Sequence, residues 1–265
     1  MTYAAANKEA WEEAFEKHQQ GWKIDPADRL LEPEGTFLDE ALMEAVSQVG
    51  VAGKVAGQFC CNNGRELLSV VKLGARTGVG FDIAENFIEE ARRIAKKAGL
   101  DATFYATDIA DIPAAFDSTV DLALITAGAL CWFQDLTSFF GKVSQVLKPQ
   151  GVLLIHEIHP FTNMIANQYE PAFDEAHPDR IAYSYFKADP WVETDGVDYI
   201  GGTSYPSKPL YSFSHTVSET IGAVARNGMV IEEMHEYPTD ISASFGHLGD
   251  HGLPLSYLLR ARKRG

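Results

Sequence analysis

Short apolar runs and amphipathic segments alternate regularly along this chain from about residue 55. The runs predict strands at 55–59, 77–82, 102–106, 120–126 and 151–157. The segments between them predict helices at 65–73, 85–98 and 135–147. Strands that alternate with helices in this way form a mostly parallel sheet with right-handed crossovers and helices on both faces. The alternation therefore predicts a doubly wound α/β fold.

A nucleotide-binding layout is visible in the stretch KVAGQFCCNNGRELLSVVKLGARTGVGFDIAENF, residues 54–87. It predicts a strand, a turn, a helix and a second strand that ends in Asp82. In doubly wound sheets an acid at this position accepts hydrogen bonds from a ribose diol. A dinucleotide-binding turn also needs a glycine in its sixth position, which is Arg65 when counted from Cys60. The one glycine of this turn, Gly64, is in the fifth position instead.

A glycine in the fifth position is typical of the G-x-G-x-G turn of class I S-adenosylmethionine-dependent methyltransferases, and residues 53–157 resemble the core of that superfamily. Four stretches in order carry the resemblance: KVAGQFCCNNGRE, VGFDIAENFIEEARRIA, FYATDIADIP, and a longer one from FDSTVDLALITAG through LKPQG, which differs by one residue from the family's L-K-P-G-G. The ending LPLSYLLRARK resembles the family's final strand. The resemblance implies a Rossmann-like, seven-stranded, mostly parallel sheet with an antiparallel last strand and an inserted cap. It also implies S-adenosyl-L-methionine as the cofactor.

The resemblance further implies a set of cofactor contacts. The turn that ends at Gly64 would face the methionine end, Asp82 would hold the ribose, and Asp108 would accept from the adenine amino group. Both acids could instead be simple caps of their own turns. Gln58 replaces the family's acid, and Cys60 and Asn62 replace glycines, although Asn tolerates a positive φ better than most residues. The full set is Gln58, Cys60, Asn62, Gly64, Asp82, Ile83, Asp108, Ile109, Thr126 and Ala127.

Candidate catalytic bases lie near the ends of the later elements. His159 and Glu157 follow the fifth strand, and His215 precedes the helix predicted at 216–227. A neutral imidazole or a carboxylate could remove a proton from a methyl acceptor, but capping or core roles account for these residues equally well. The run H-E-I-H at 156–159 is not H-E-x-x-H and has no visible third ligand, so no metal site is predicted. The adjacent Cys60 and Cys61 are predicted to be inert reduced thiols rather than a redox pair.

The strand–helix rhythm stops after residue 158, and 11 of the next 57 residues (159–215) are aromatic. Such a segment can be a small core of its own or the lining of an acceptor pocket. We predict four parts: an N-terminal helical lid at 1–50, the cofactor-binding core at 51–158, an aromatic cap at 159–215, and a C-terminal helix with the final strands at 216–265. The candidate substrate contacts are Trp11, Trp132, Tyr183, Tyr185 and Trp191.

Composition narrows the possible partners. The chain has 22 Lys and Arg against 37 Asp and Glu, a net charge of −15, which disfavours nucleic acid as a partner. No run reaches the length of a membrane span, and the N-terminus lacks a signal-peptide pattern, so a cytoplasmic protein is expected. The sequence does not indicate an oligomeric state. The predicted function is transfer of a methyl group to an oxygen or nitrogen atom of a small molecule.

Two other functions are compatible with the sequence. One is a methyltransferase-fold protein that transfers no methyl group and acts as a partner subunit or as the catalyst of another reaction. The other is an NAD-dependent oxidoreductase, against which Arg65 and the antiparallel ending argue.

Overall fold

Nine strands are present in the computed structural model, which describes residues 2–196, 198 and 200–265. They are β1 (Val55–Phe59), β2 (Thr77–Asp82), β3 (Ala102–Ala106), β4 (Val120–Ile125), β5 (Leu147–Ile158), β6 (Trp191–Glu193), β7 (Leu210–Ser212), β8 (Met229–Tyr237) and β9 (Ser256–Lys263). Seven of them form one sheet in the order β3-β2-β1-β4-β5-β9-β8. The strands β1 to β5 pair in parallel, and β9 runs antiparallel to both of its neighbours. The predicted doubly wound sheet with an antiparallel last strand is confirmed.

Helices cover both faces of this sheet. They are α1 (Tyr3–Gly21), α2 (Pro26–Leu31), α3 (Glu40–Val49), α4 (Arg65–Lys72), α5 (Glu85–Ala98), α6 (Leu136–Val146) and α7 (Val217–Arg226). Two hydrophobic clusters separate the layers. On one face α6 and α7 pack against the sheet around Phe59, Phe81 and Ile125, and on the other α3, α4 and α5 pack around Leu122 and Leu124. These five strand residues are fully buried, as expected for strands covered on both sides.

The helix α3 begins at Glu40 and has Asp39, not Thr36, as its N-cap. The Asp39 carboxylate accepts a hydrogen bond of 2.9 Å from the backbone N–H of Leu42, whereas the Thr36 hydroxyl only accepts from Leu38 in the preceding turn. Both residue types cap helices well, so the choice depends on where the chain enters the helix.

Two features were absent from the sequence prediction. The short helix α2 begins with Pro26 after the N-cap Asp25. Within the segment after β5, β6 and β7 pair as a two-stranded antiparallel sheet. None of the described helices combines the length and the apolar character needed to cross a lipid bilayer.

Candidate active site

A cleft of about 940 Å³ opens at the carboxyl ends of β1 to β4. In a doubly wound sheet this is the edge where ligands bind, because the loops there diverge on either side of the point where strand order reverses. Eight of the ten predicted cofactor contacts line the cleft: Cys60, Asn62, Asp82, Ile83, Asp108, Ile109, Thr126 and Ala127.

The turn after β1 adopts a left-handed backbone at every second residue. The φ angles are 57° at Cys60, 49° at Asn62 and 71° at Gly64. A G-x-G-x-G turn uses glycine at these same alternate positions, since glycine is the residue that adopts a positive φ without strain. The chain therefore keeps the backbone path of a glycine-rich turn with two non-glycine residues in it.

Asp82 fixes this turn from the end of β2. Its Oδ2 accepts a hydrogen bond of 2.8 Å from the N–H of Asn62, and its Oδ1 accepts one of 3.0 Å from the N–H of Ala84. Burial raises the pKa of Asp82 above its ordinary value, although the backbone N–H groups oppose that shift. Each carboxylate oxygen can accept a further bond, so capping the turn and binding a ligand are compatible roles.

Asp108 occupies the equivalent position after β3. It is the N-cap of a short 3-10 helix, where its Oδ1 accepts a hydrogen bond of 2.9 Å from the N–H of Ala110. The same side chain lines the cleft. For Asp108, too, the capping role does not exclude a ligand role.

Two predicted cofactor contacts, Gln58 and Gly64, lie behind the turn instead of on the cleft surface, so their assignment needs correction. Gln58 is 1% exposed, and its amide donates to the Thr126 hydroxyl at 3.0 Å and accepts from the Leu67 N–H at 3.2 Å. Gly64 faces the ring of Phe104, and a Cβ built there would lie 2.4 Å from its Cε1 atom. Both residues shape the turn from beneath.

Glu157 is also placed differently from its predicted role as a catalytic base. Its carboxylate accepts four backbone N–H groups, from Gly128, Ala129, Leu130 and Ile158, at 2.7 to 3.0 Å. It is buried, and burial raises its pKa. Glu157 therefore anchors the loop after β4, and it does not line the cleft.

The other two predicted bases also lie away from the cleft lining. The Nε2 of His159 is 2.8 Å from Glu236, and its Nδ1 accepts from the Phe161 N–H at 3.0 Å. The Nε2 of His215 is 2.8 Å from the carbonyl oxygen of Phe133, and the residue lines a separate hollow. Burial lowers the pKa of both imidazoles. Both ring nitrogens of His159 and the Nε2 of His215 are engaged in these bonds, which link separate parts of the chain.

The pKa values of the thiols agree with the prediction that the cysteines are inert. Burial raises the pKa of Cys60, Cys61 and Cys131 well above the ordinary value, which keeps them protonated at neutral pH. No group of three or more His, Cys, Asp or Glu side chains suited to a metal ion is found in the part of the chain that the structure describes.

Of the five predicted substrate contacts, the structure brings two together in the cleft. Trp11 and Trp132 both line it, with ring centroids 5.6 Å apart in an edge-to-face arrangement. The other three lie outside the cleft lining, where Tyr183 and Trp191 bond within the cap and Tyr185 bonds to the start of α7. Tyr183 donates to Glu170, Tyr185 accepts from the Val217 N–H, and Trp191 donates to Ser214.

Helix α1 is joined to the cap through Asn7. The Asn7 amide donates to the Tyr211 carbonyl oxygen and accepts from the Tyr211 N–H, each at 2.8 Å, as a neighbouring strand would. Trp11, one turn further along, packs on Phe87 of α5 with ring centroids 5.8 Å apart. The two contacts hold α1 against β7 and α5 at the edge of the cleft.

One cleft residue was missed as a functional candidate. His156 at the end of β5 is 3% exposed and lines the cleft beside Asp39. The sequence could have indicated this position, because the fourth and fifth strands were predicted to be parallel. Parallel pairing brings residues 126 and 156 to the same edge of the sheet.

The comparisons with known proteins agree with this geometry. A family model described as a methyltransferase domain matches residues 58–151. A solved S-adenosylmethionine-dependent methyltransferase from Mesorhizobium loti superposes with a TM-score of 0.61 at 23% identity, covering 84% of this chain and 98% of that one. One from Methanosarcina mazei superposes with a TM-score of 0.58 at 18% identity, covering 86% and 98%.

Residues 58–151 thus match a methyltransferase domain, and the chain has the fold of solved S-adenosylmethionine-dependent methyltransferases. The resemblance stated from the sequence is thereby confirmed, and the superfamily relatives support the predicted cofactor.

Curated relatives correct one prediction. The ribosomal protein L11 methyltransferase of Pasteurella multocida is 28% identical over 145 residues, which are 54% of this chain and 47% of the relative. The chain thus spans about half the length of the curated relatives that it matches. These relatives are named for a protein substrate. The prediction that the substrate is only a small molecule is therefore wrong. The cytoplasmic location and the absence of nucleic-acid and membrane partners stay predictions.

The left-handed turn leads to a stability prediction. At most positions alanine is more stabilising than glycine by about 0.4–1 kcal/mol, because glycine makes the unfolded chain more flexible. At Cys60, with φ of 57°, we expect the reverse: the Cys60→Gly variant should exceed Cys60→Ala in free energy of unfolding by about 1 kcal/mol. The matched control is the same pair of variants at Cys61, which lies outside the positive-φ residues and should follow the ordinary order. Denaturant unfolding of the four variants measures both differences, and an alanine advantage at Cys60 would contradict the turn geometry.

Proposed function

We propose that this protein transfers the methyl group of S-adenosylmethionine to an oxygen or nitrogen atom of an acceptor that enters the far end of the cleft. The observation that carries the proposal is the turn after β1, left-handed at residues 60, 62 and 64 and held by Asp82 beside the cleft. That arrangement gives a ligand close access to the backbone and a carboxylate for the ribose hydroxyls.

The remaining cleft residues fit the other parts of the cofactor. Ile83 and Ile109 offer apolar surface for the adenine, and Asp108 is next to Ile109 to accept its amino group. Thr126 and Ala127, at the end of β4, come beside the sulfonium and its methyl group. The backbone groups of the turn after β1 would contact the methionine end of the cofactor.

The acceptor side of the cleft is aromatic and acidic. Trp11 and Trp132 form one wall, and Glu193 and Asp39 add negative charge. Aromatic faces stabilise positive charge such as that of the sulfonium, and they also align an acceptor for in-line attack. A protein side chain that reaches into the cleft meets these requirements, in keeping with the named substrate of the curated relatives.

The experiment that tests the proposal follows the release of S-adenosylhomocysteine. Purified protein is incubated with S-adenosylmethionine and with peptides that present amino, phenol and hydroxyl groups, together with ribosomal protein L11 as a separate arm. We expect turnover with at least one group of acceptors and none in the Asp82→Ala variant. Cofactor binding without turnover on any arm would instead favour a methyltransferase-fold partner subunit.

A further inference from the structure

His156 is a buried histidine whose hydrogen-bonding capacity is unused. It lines the cleft, yet neither of its ring nitrogens has a hydrogen-bond partner among the described residues. The Oδ2 of Asp39 lies 3.2 Å from Nε2, close enough for an ion pair with a protonated ring but without the alignment of a hydrogen bond. Buried polar groups are rarely left unsatisfied unless they serve a function or bind a missing partner.

The sheet register places His156 next to the proposed methyl position. Ile125 of β4 pairs in parallel with Ile155 of β5, so Thr126 and His156 follow side by side, about 5 Å apart at the backbone. Leu124 and Leu154 belong to the cluster beneath α3. Because side chains alternate along a strand, Thr126 and His156 share that face with them.

We propose that His156 is the general base that removes the proton of the methyl acceptor, with Asp39 as the residue that positions it. This inference rests on the function proposed above and adds the chemical class of the acceptor. An acceptor that needs a base carries its proton at neutral pH, as an ammonium or a hydroxyl group does. A carboxylate acceptor needs no such base.

The step balances as follows. The acceptor O–H or N–H gives its proton to the neutral imidazole, and the freed lone pair forms the bond to the methyl carbon. The carbon–sulfur bond breaks, and its electron pair stays on sulfur to give neutral S-adenosylhomocysteine. With a hydroxyl acceptor, the positive charge moves from the sulfonium to the imidazolium. With an ammonium acceptor, the imidazolium takes the charge of the acceptor and the methylated nitrogen takes that of the sulfonium. The Asp39 carboxylate stabilises the imidazolium in both cases.

The surroundings keep the ring neutral before the reaction. Burial lowers the pKa of His156, and the Asp39 charge at the start of α3 opposes that shift. Tyr237 of β8 stacks on the ring with centroids 6.3 Å apart, and Asp240 lies in the loop after β8 and lines the same cleft. Since the base acts in its neutral form, turnover should fall as the pH drops through the lowered pKa of His156.

The first test needs no acceptor. Histidine ring signals of the labelled protein are titrated by NMR in complex with S-adenosylmethionine and in complex with S-adenosylhomocysteine, with His156→Gln assigning the signal. The positive charge of the sulfonium should lower the titration midpoint of His156 by about 0.5–2 pH units relative to the neutral thioether complex. His159, bonded to Glu236 outside the cleft lining, is the matched control and should titrate alike in both complexes.

The second test measures turnover on any acceptor that the protein methylates. His156→Gln should lower kcat by about 100- to 10,000-fold and remove the acid limb of the pH profile, with the cofactor Kd nearly unchanged. Asp39→Asn, which retains a good N-cap, should lower kcat less and move that limb to lower pH. Equal titration of His156 in the two complexes, or full activity of His156→Gln, would overturn the proposal. Failure of both ligands to bind would instead overturn the proposed function.

Discussion

Replacing Asp82 by alanine is expected to weaken the binding of S-adenosylhomocysteine by about 100-fold or more. Hydrogen bonds to a charged group are worth about 1.5–3 kcal/mol each, and two ribose hydroxyls would lose theirs. The same carboxylate holds the N–H groups of Asn62 and Ala84, so the turn itself loosens as well. Isothermal titration calorimetry measures the change, and Asp82→Asn, which keeps one acceptor oxygen, should fall between the wild type and Asp82→Ala.

The matched control for this variant is Asp121→Ala. Asp121 also accepts a backbone N–H, from Val55 at 2.9 Å, and it is paired with Lys148 at 2.8 Å, but it lies outside the cleft lining. We expect Asp121→Ala to lower the free energy of unfolding and to leave the Kd for S-adenosylhomocysteine unchanged. A Kd for Asp82→Ala within about fivefold of the wild type would show that Asp82 does not hold the cofactor.

Replacing Gly64 by alanine is expected to lower the free energy of unfolding by about 2–5 kcal/mol. The residue has a φ of 71°, and an added Cβ would lie 2.4 Å from Cε1 of Phe104 and 3.3 Å from Cβ of Ala91. Left-handed strain and overpacking each contribute about 1–3 kcal/mol. Denaturant unfolding of the variant measures the loss.

Gly99→Ala separates the two contributions. Gly99 has a similar φ of 67° at the end of α5, but a Cβ added there meets nothing within 4 Å. It should therefore lose only the strain energy, about 1 kcal/mol. Equal losses at Gly64 and Gly99 would contradict the close packing of Phe104 beneath the turn.

The order of elements in the core could be predicted from the sequence because each strand contains a short, largely apolar run and each helix has an amphipathic period. The helix predicted at 85–98 has the same limits in the structure, where Gly99 ends it in a left-handed conformation. The helix α2 was not predicted, since six residues give too short a period to detect.

The predicted catalytic bases lie away from the cleft lining because their side chains bond to groups that are distant in the sequence. Glu157 was chosen for its position after a strand, but the loop 128–130 brings three N–H groups to its carboxylate. His159 and His215 similarly find partners through tertiary contacts that no local pattern encodes. His156 was weighed as a metal ligand, and pairing the predicted parallel strands would have placed it next to Thr126.

The sequence shows that the cap is rich in aromatic residues, but it does not show which groups those residues contact. Its aromatic content suggested a pocket lining, but Tyr183 and Trp191 pack on each other with ring centroids 4.7 Å apart, outside the cleft lining. Trp11 and Trp132, from outside the cap, line the cleft instead. Composition indicates that a segment buries aromatic rings, but it does not indicate whether they face a ligand or each other.

We infer that a turn with one glycine binds an S-adenosyl cofactor, and thermal unfolding of the wild-type protein with S-adenosylmethionine, S-adenosylhomocysteine or NAD tests this claim. At 100 times its Kd a ligand adds about 2.7 kcal/mol, which corresponds to a rise of about 5–10 °C in Tm for a chain of this size. We expect such a rise with both S-adenosyl ligands and none with NAD. No rise with either S-adenosyl ligand at millimolar concentration, or an equal rise with NAD, would contradict the claim.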